Sequence, residues 1–264
     1  NNEKTYGFTV GGPIMKDTLF FFVNYEKLKQ TEVGTAGGKS LGTNPLIVGG
    51  DFDAADVQSV IDIAKSKYGF DAGSLTGGDT ELEEYAAKID WNINDNHRFS
   101  FRYSNLDQTR VRPEASNASA LILSSGWYNH HKTVESYVGQ LFSDWTPNFS
   151  TELKVSFRDY EAIRENPTTA PTMQIYFDDG IAGNNPSAGD FIRIGTERSS
   201  MGNALKTKTW NYFASATWTR GDHDVKFGAE YQDNSIYNFF LQDFYGNYSF
   251  YGLNDFANGV FFDY

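Results

Sequence analysis

Glu84-Tyr-Ala-Ala-Lys-Ile-Asp-Trp-Asn-Ile-Asn-Asp-Asn-His-Arg-Phe-Ser-Phe-Arg-Tyr-Ser104 is the stretch that decides the fold class. Tyr85, Ala87, Ile89, Trp91 and Ile93 fall at alternate positions, and Glu84, Lys88, Asp90 and Asn92 fill those between. After Asn94-Asp95-Asn96 the alternation resumes, with Phe99, Phe101 and Tyr103 opposing Arg98, Ser100, Arg102 and Ser104. A strand sends successive side chains to opposite faces, so this period predicts two strands, each with one apolar and one charged face. The Asn-Asp-Asn break tolerates the backbone of a tight hairpin turn.

The same pattern recurs on either side. Leu153, Val155 and Phe157 oppose Glu152, Lys154, Ser156 and Arg158, and Val225, Phe227, Ala229 and Tyr231 oppose Asp224, Lys226, Glu230 and Gln232. Trp210, Tyr212, Ala214, Ala216 and Trp218 form a further apolar face. The alternation predicts strands over Thr5–Ile14, Thr18–Gln30, Glu84–Ile93, His97–Asp107, Thr133–Trp145, Thr151–Glu161, Lys208–Thr219 and His223–Ser235, with Val260–Tyr264 as the start of another. Tight turns fall at Lys16-Asp17, Asn94-Asp95-Asn96, Pro147-Asn148 and Arg220-Gly221-Asp222. Long connections run from Glu32 to Leu82, Gln108 to Lys132 and Arg164 to Lys206, rich in Gly, Asn, Ser, Asp and Pro. Short turns at one end and long loops at the other is the asymmetry of outer-membrane barrels. A soluble sandwich has short connections at both ends. One helix is predicted in the first loop: Asp53 caps it, Val57, Val60, Ile61, Ala64 and Tyr68 recur at helical spacing, and Gly69 stops it. It reads as a surface helix packed on its own loop.

Composition supports a barrel over the alternatives. Among 264 residues, 16% are aromatic and 39% hydrophobic, and mean hydropathy is −0.51. No apolar run approaches the ~20 residues of a membrane helix, whereas barrel strands alternate and read as hydrophilic on average. The absence of Cys removes disulfides and thiolate metal sites. A net charge of −12 argues against a nucleic-acid partner. The aromatics are placed as girdles: Trp91, Phe99, Trp145 and Trp218 near the short turns, and Tyr25, Tyr85, Tyr103, Tyr137 and Tyr231 further along. The charged face then suits a wet or polar-plugged lumen. The expectation is an all-β chain, an antiparallel transmembrane β-barrel wall of about eight strands, forming a partial barrel with long extracellular loops and one short helix.

Tyr6-Gly-Phe-Thr-Val-Gly-Gly-Pro-Ile-Met-Lys-Asp-Thr-Leu-Phe-Phe-Phe-Val-Asn-Tyr-Glu26 resembles the first barrel hairpin of TonB-dependent receptors of the Oar-like group. There a Gly-Gly-Pro-Ile strand meets a Lys-Asp turn, followed by a Leu-Phe-Phe-Phe strand ending in Tyr-Glu. On this reading Leu19, Phe21, Val23 and Tyr25 face lipid, and Asn24 and Glu26 face inward. Ala86–Phe99, the Trp145–Leu153 hairpin, His223–Tyr231 and Tyr245–Phe250 are similar to the same group. The resemblance implies a partial TonB-dependent-receptor-like β-barrel domain over 1–264, the first third or so of a barrel of about 22 strands. It implies outer-membrane lipid, the remainder of the barrel, a plug domain, TonB acting through the plug region, and an unidentified extracellular ligand as partners, in the bacterial outer membrane.

No residue is assigned a catalytic, cofactor-binding or metal role, and no cofactor or enzymatic activity is expected. Asp178-Asp179 with Asp190 offers hard oxygens for Ca²⁺ but lacks EF-hand spacing, so a solvated acidic loop is preferred. His130-His131 would point to opposite sides of a strand. Glu83-Glu84 and Asp159 with Glu161 are carboxylate pairs of the kind glycosidases use, but equally of the kind barrel strands carry. Gly37-Gly38, Gly49-Gly50 and Gly77-Gly78 lack the strand and helix of a phosphate loop. Two other functions compete. An autonomous eight-stranded adhesin or pore would need Thr5–Ile14 to pair with His223–Ser235. A soluble carbohydrate-binding protein would stack sugars on exposed Trp and Tyr.

Overall fold

The computed structural model describes residues 2–31, 52–75, 78–114, 116, 120–177, 189–199 and 201–264. In chain order the elements are β1 (Asn2–Met15), β2 (Leu19–Thr31), α1 (Ala54–Lys67), β3 (Asp79–Asn94), β4 (His97–Arg112) and β5 (Ala120–Ile122). Then follow a 3-10 turn (Ser124–Gly126), β6 (Tyr128–Thr146), β7 (Phe149–Glu165), β8 (Thr172–Tyr176), β9 (Phe191–Ile194), β10 (Gly202–Arg220), β11 (His223–Leu241), β12 (Asn247–Tyr251) and α2 (Gly252–Asn258).

The long strands make one eight-stranded antiparallel sheet, β1-β2-β3-β4-β6-β7-β10-β11. All eight strands expected from the alternation are present, and the sheet is open, with β1 and β11 at its edges. Thr5–Ile14 therefore does not pair with His223–Ser235, which removes the geometry an autonomous eight-stranded barrel requires. Seven of the eight long strands extend three to six residues beyond their expected ranges toward the loops, β11 for example running to Leu241 and not to Ser235, while β2 gains a single residue, Thr31. Val260–Tyr264 is not a strand and contributes only an antiparallel bridge from Asp263 to Ser249.

The sheet is curved. Along β3, Tyr85, Ala87, Ile89, Trp91 and Ile93 are exposed while Ala86, Lys88, Asp90 and Asn92 between them are half-buried. The charged face is thus the concave one, where side chains crowd together, and the apolar face is convex.

The turns are staggered. The residues Leu19, Trp91, Phe99, Leu141, Leu153, Ala214 and Ala229 form one cross-strand row. The last pair before the turn lies at that row on β2 (Leu19), two residues beyond it on β4 (His97), four on β7 (Phe149) and six on β11 (His223). Each strand that overshoots bonds to the preceding turn: Asn92 N to Thr18 O at 2.7 Å, Asp144 N to Asn96 O at 2.8 Å, and Thr219 N to Asn148 O at 2.9 Å. The stagger is one residue per strand. With about 3.4 Å per residue and about 4.8 Å between strands, tips held in one plane require a strand tilt of about 35°. That is the tilt of a closed barrel wall. Asp17 (φ 62°) and Gly221 (φ 59°) take the left-handed backbone that two of the turns need.

The long connections hold a second layer. β12, β8, β9 and β5 form a small mixed sheet, with β12 parallel to β8, β8 antiparallel to β9, and β9 parallel to β5. Its strands come from three different connections, and α1, from a fourth, packs against them. The hydrophobic core lies here and not in the wall: Val60, Ala64, Leu121, Leu123, Ile175, Ile192, Ile194 and Phe256 are fully buried. Burying each of the larger of these side chains contributes about 1.5–3 kcal/mol. No strand of three to five residues would persist alone, so the four connections fold together or not at all.

Candidate functional site: a lipid-facing band and a loop cap

On the convex face the apolar run along each strand ends at a polar residue: Lys4 on β1, Lys27 on β2, Glu83 on β3, Asn105 on β4, Glu135 on β6, Asp159 on β7, Lys208 on β10 and Asp233 on β11. Asp233 shares its cross-strand row with Val10, six residues turnward of Lys4. The upper limit of the apolar face therefore shifts by six residues across the sheet, as the turns do, and the band keeps a constant height. Ile93 to Tyr85, Trp145 to Tyr137, Phe149 to Phe157 and Trp218 to Trp210 each span nine residues. Eight steps give about 27 Å along the strand and about 22 Å along the normal at 35° tilt, close to the ~25 Å apolar belt of outer-membrane barrels.

Both rims are aromatic, as expected. At the upper rim rings touch in series: Tyr85–Tyr103 at 6.0 Å, Tyr103–Tyr137 at 5.0 Å, Tyr137–Phe157 at 6.3 Å and Phe157–Trp210 at 4.7 Å. Their hydroxyls reach the polar boundary: Tyr25 donates to Glu83 at 2.6 Å, and Tyr103 and Tyr137 donate to Glu135 at 2.9 and 2.8 Å. A ring in the apolar belt with its oxygen in the polar layer is the arrangement of a headgroup-depth girdle.

Beyond that rim the convex face carries ion pairs. Lys29 lies 3.0 Å from Glu81 and 3.1 Å from Asp79; Lys206 is 2.9 Å from Glu161, and Lys208 is 3.4 Å from Asp159. Asp159 and Glu161, a candidate carboxylate pair, are thus each matched to a lysine across the strand. Glu83 faces outward beside Tyr25, whereas Glu84 lies on the concave side opposite Glu26. His130 and His131 occupy opposite faces, with His131 Nδ1 3.0 Å from Thr109 Oγ1. No group of three or more potential metal ligands occurs among the described residues. Asp178-Asp179 lies outside them; the Asp190 carbonyl accepts from Phe177 N at 2.9 Å.

The cap was not foreseen. α1 forms where expected, with Asp53 Oδ1 accepting from Ala55 N at 2.7 Å and Asp56 N at 3.1 Å, and Gly69 at φ 73° beyond its end. Ala72, Phe70 and Leu75 of its own connection join the same apolar cluster, as expected, and the helix also packs beyond that connection. Tyr68 stacks on Phe256 at 4.9 Å and donates to its carbonyl at 2.7 Å, and Lys67 reaches Ala257 O at 2.6 Å. Two ionic contacts tie the remaining connections. Arg193 on β9 bonds Glu114, which precedes β5, and Gln174 on β8 at 3.0 Å. Arg198 grips both carboxylate oxygens of Asp243, at 3.0 and 3.1 Å. Burial pushes the Glu114 carboxyl above its usual range, partly offset by the Arg193 guanidinium. A cleft of about 320 Å³ opens in this cap between Tyr68, Phe70, Pro171, Met173, Phe250 and Phe261.

The profile of a family described as "Outer membrane beta barrel domain" matches residues 1–69 and 73–262. The fold is similar to that of the outer membrane transporter YddB from Escherichia coli, with a TM-score of 0.55 and 8% identity over 94% of this chain and 27% of that one. At that identity the likeness is one of fold, and this chain spans about a quarter of the transporter's length. No curated protein sequence matches significantly. A constant-height lipid-facing band, staggered short turns, folded outer loops and a family match over nearly the whole chain lead to one conclusion: this chain belongs to the outer membrane beta barrel domain family, and its place is the bacterial outer membrane.

Proposed function

We propose that this wall belongs to a TonB-dependent receptor of the Oar-like group, which imports a scarce nutrient across the outer membrane. The observation that carries the proposal is the hairpin Tyr6–Glu26, whose Gly-Gly-Pro-Ile, Lys-Asp and Leu-Phe-Phe-Phe sequence resembles that group's first barrel hairpin and which forms the paired β1 and β2 here. The cap supports the reading. A receptor must meet its ligand on the outer side, and the four connections build a folded, cored surface there. In this proposal the partners are outer-membrane lipid, the remaining barrel strands against the β1 and β11 edges, a plug domain, TonB acting through that plug, and an extracellular ligand. The role is non-catalytic and involves no nucleic acid.

The test uses the full-length protein in detergent and the immobilised periplasmic domain of TonB. Retention that excess soluble TonB domain competes away is the expected result. Failure to bind TonB would remove the energy-coupled reading and leave a passive barrel.

A further inference from the structure

Charge is sorted across the wall at its loop end. Beyond the aromatic rim, the carboxylates of β4, β6 and β7 all fall on the convex face: Asp107, Glu135, Asp159, Glu161 and Glu165. The Arg and Lys residues of the same stretches, Arg110, Arg112, Lys132, Arg158 and Arg164, all fall on the concave face. Four of these cations surround His130. Arg110 and Arg164 flank it in one cross-strand row, Lys132 follows two residues along β6, and Arg112 stands one step outward, opposite Tyr128. Arg164 lies over the Tyr128 ring at 5.4 Å, and its Nε is buried without a hydrogen-bond partner. Among the described residues, Arg112, Lys132 and Arg164 have no carboxylate at ion-pair distance; Glu114, two residues beyond Arg112, is bonded by Arg193. Burial, then the charges of Lys132, Arg164 and Arg112, push the His130 imidazole down to about 4. This happens in a chain whose net charge is −12.

A wall that only meets water on its inner side needs polar residues there, not residues of one sign. Like charges on neighbouring cross-strand positions repel and destabilise a sheet. On the convex face that repulsion is relieved, because Lys206 and Lys208 sit against Glu161 and Asp159. On the concave face the relief has to come from an anion that is not part of this wall. The size of the cluster limits what that anion is. Two strand spacings across and four residues along, it measures about 10 Å by about 14 Å, far less than the ~800 Å² that each side of a protein–protein interface covers. Guanidinium forks pair with carboxylates and phosphates through two parallel hydrogen bonds, and an ammonium adds a third point of charge. We infer that Arg112, Lys132 and Arg164 bind a small solute bearing two or more anionic phosphate or carboxylate groups at the outer end of the lumen. The inference deepens the receptor reading and rests on it in one respect, since it names the chemical class of that receptor's extracellular ligand.

The experiment is titration calorimetry of the full-length protein in uncharged detergent, with inorganic pyrophosphate and citrate as probes and glucose as the uncharged control. Arg112→Gln with Arg164→Gln removes two cations of the cluster. Lys206→Gln with Lys208→Gln removes two from the convex face beyond the same rim and matches the change in net charge. Heat-modifiable mobility shows that each barrel has folded. Saturable binding of at least one anion, weakened by added salt, is expected, with no binding of glucose. The concave pair is expected to lower the affinity about tenfold or more, and the convex pair to leave it unchanged. A preference for pyrophosphate or for citrate supports the site in either case and tells phosphate from carboxylate. Lys132→Gln alone is expected to weaken binding to a smaller degree and serves if the concave pair does not assemble. Equal weakening by the two pairs would overturn the inference. So would a wild type that binds neither anion, which would leave the cations to a carboxylate elsewhere in the full-length protein. Neither outcome depends on TonB binding, so this inference and the receptor reading fail separately.

Discussion

Ile89→Arg is the sharpest test of the lipid-facing band. Ile89 is the middle of the five outward residues of β3, four residues from Ile93 at one rim and four from Tyr85 at the other. At 35° tilt that places it about 11 Å from either boundary. A guanidinium there is held far from both polar layers, and its stem gives limited escape. The cost near the midplane is about 2–4 kcal/mol, equivalent to a roughly 30- to 900-fold loss in the folding equilibrium. Ser100→Arg adds the same side chain on the concave side, opposite Asp90 and Gln140, and should change stability by no more than about 0.5 kcal/mol. Tyr85→Arg, at the rim, should fall between them at about 0–1 kcal/mol for the charge itself. The assay is urea unfolding of the full-length protein refolded into lipid vesicles, followed by heat-modifiable mobility. The reasoning is refuted if Ser100→Arg blocks insertion while Ile89→Arg is tolerated, or if the cost does not decline toward the rim.

Three further outcomes are expected. Proteinase added to intact cells should cut within residues 32–82 or 164–206; cleavage that appears only after the outer membrane is permeabilised would invert the topology. Gly195→Ala should loosen the cap, because Gly195 sits at φ 82° and an added Cβ would meet the Pro171 carbonyl oxygen at 1.8 Å. Its cost is about 2 kcal/mol or more, read as faster proteolysis of the cap with the barrel still heat-modifiable. Asp53→Ala should remove the α1 cap at about 1 kcal/mol, with Asp53→Asn restoring most of it in the same proteolysis assay.

The hairpins and their facing were legible because lipid imposes period two on one side of each strand for about nine residues. Most strand ends were not, because beyond Glu83 or Asp159 both faces meet polar surroundings while the backbone ladder continues to Asp79 and Glu165. In Leu-Phe-Phe-Phe-Val the parity set by Asn24 and Glu26 turns Phe20 and Phe22 inward, and the pairing with Asp90 and Lys88 agrees. The cap was invisible because the partners of Val60 in its core, Leu121, Ile175, Ile192 and Phe256, lie far apart in the chain and in segments too short to show a period. The Asp53 cap and Gly69 stop are local signals, and α1 was accordingly found, but its packing partner nearly two hundred residues away was not.

The central claim is that the convex face is a lipid-facing band of constant height, bounded by staggered turns and a stepped polar rim. This chain has no cysteine, so single cysteines can be placed along β10 and spin-labelled in the full-length protein in lipid, with any cysteine outside these 264 residues replaced first. The measurement is label accessibility to oxygen, which concentrates in the bilayer, against a water-soluble nickel complex. The account predicts oxygen-accessible, nickel-protected labels at 210, 212, 214, 216 and 218, with the greatest oxygen preference at Ala214, and a weak oxygen preference at 211, 213, 215 and 217. Equal accessibility on both faces, or a nickel-accessible label at position 214, would contradict it.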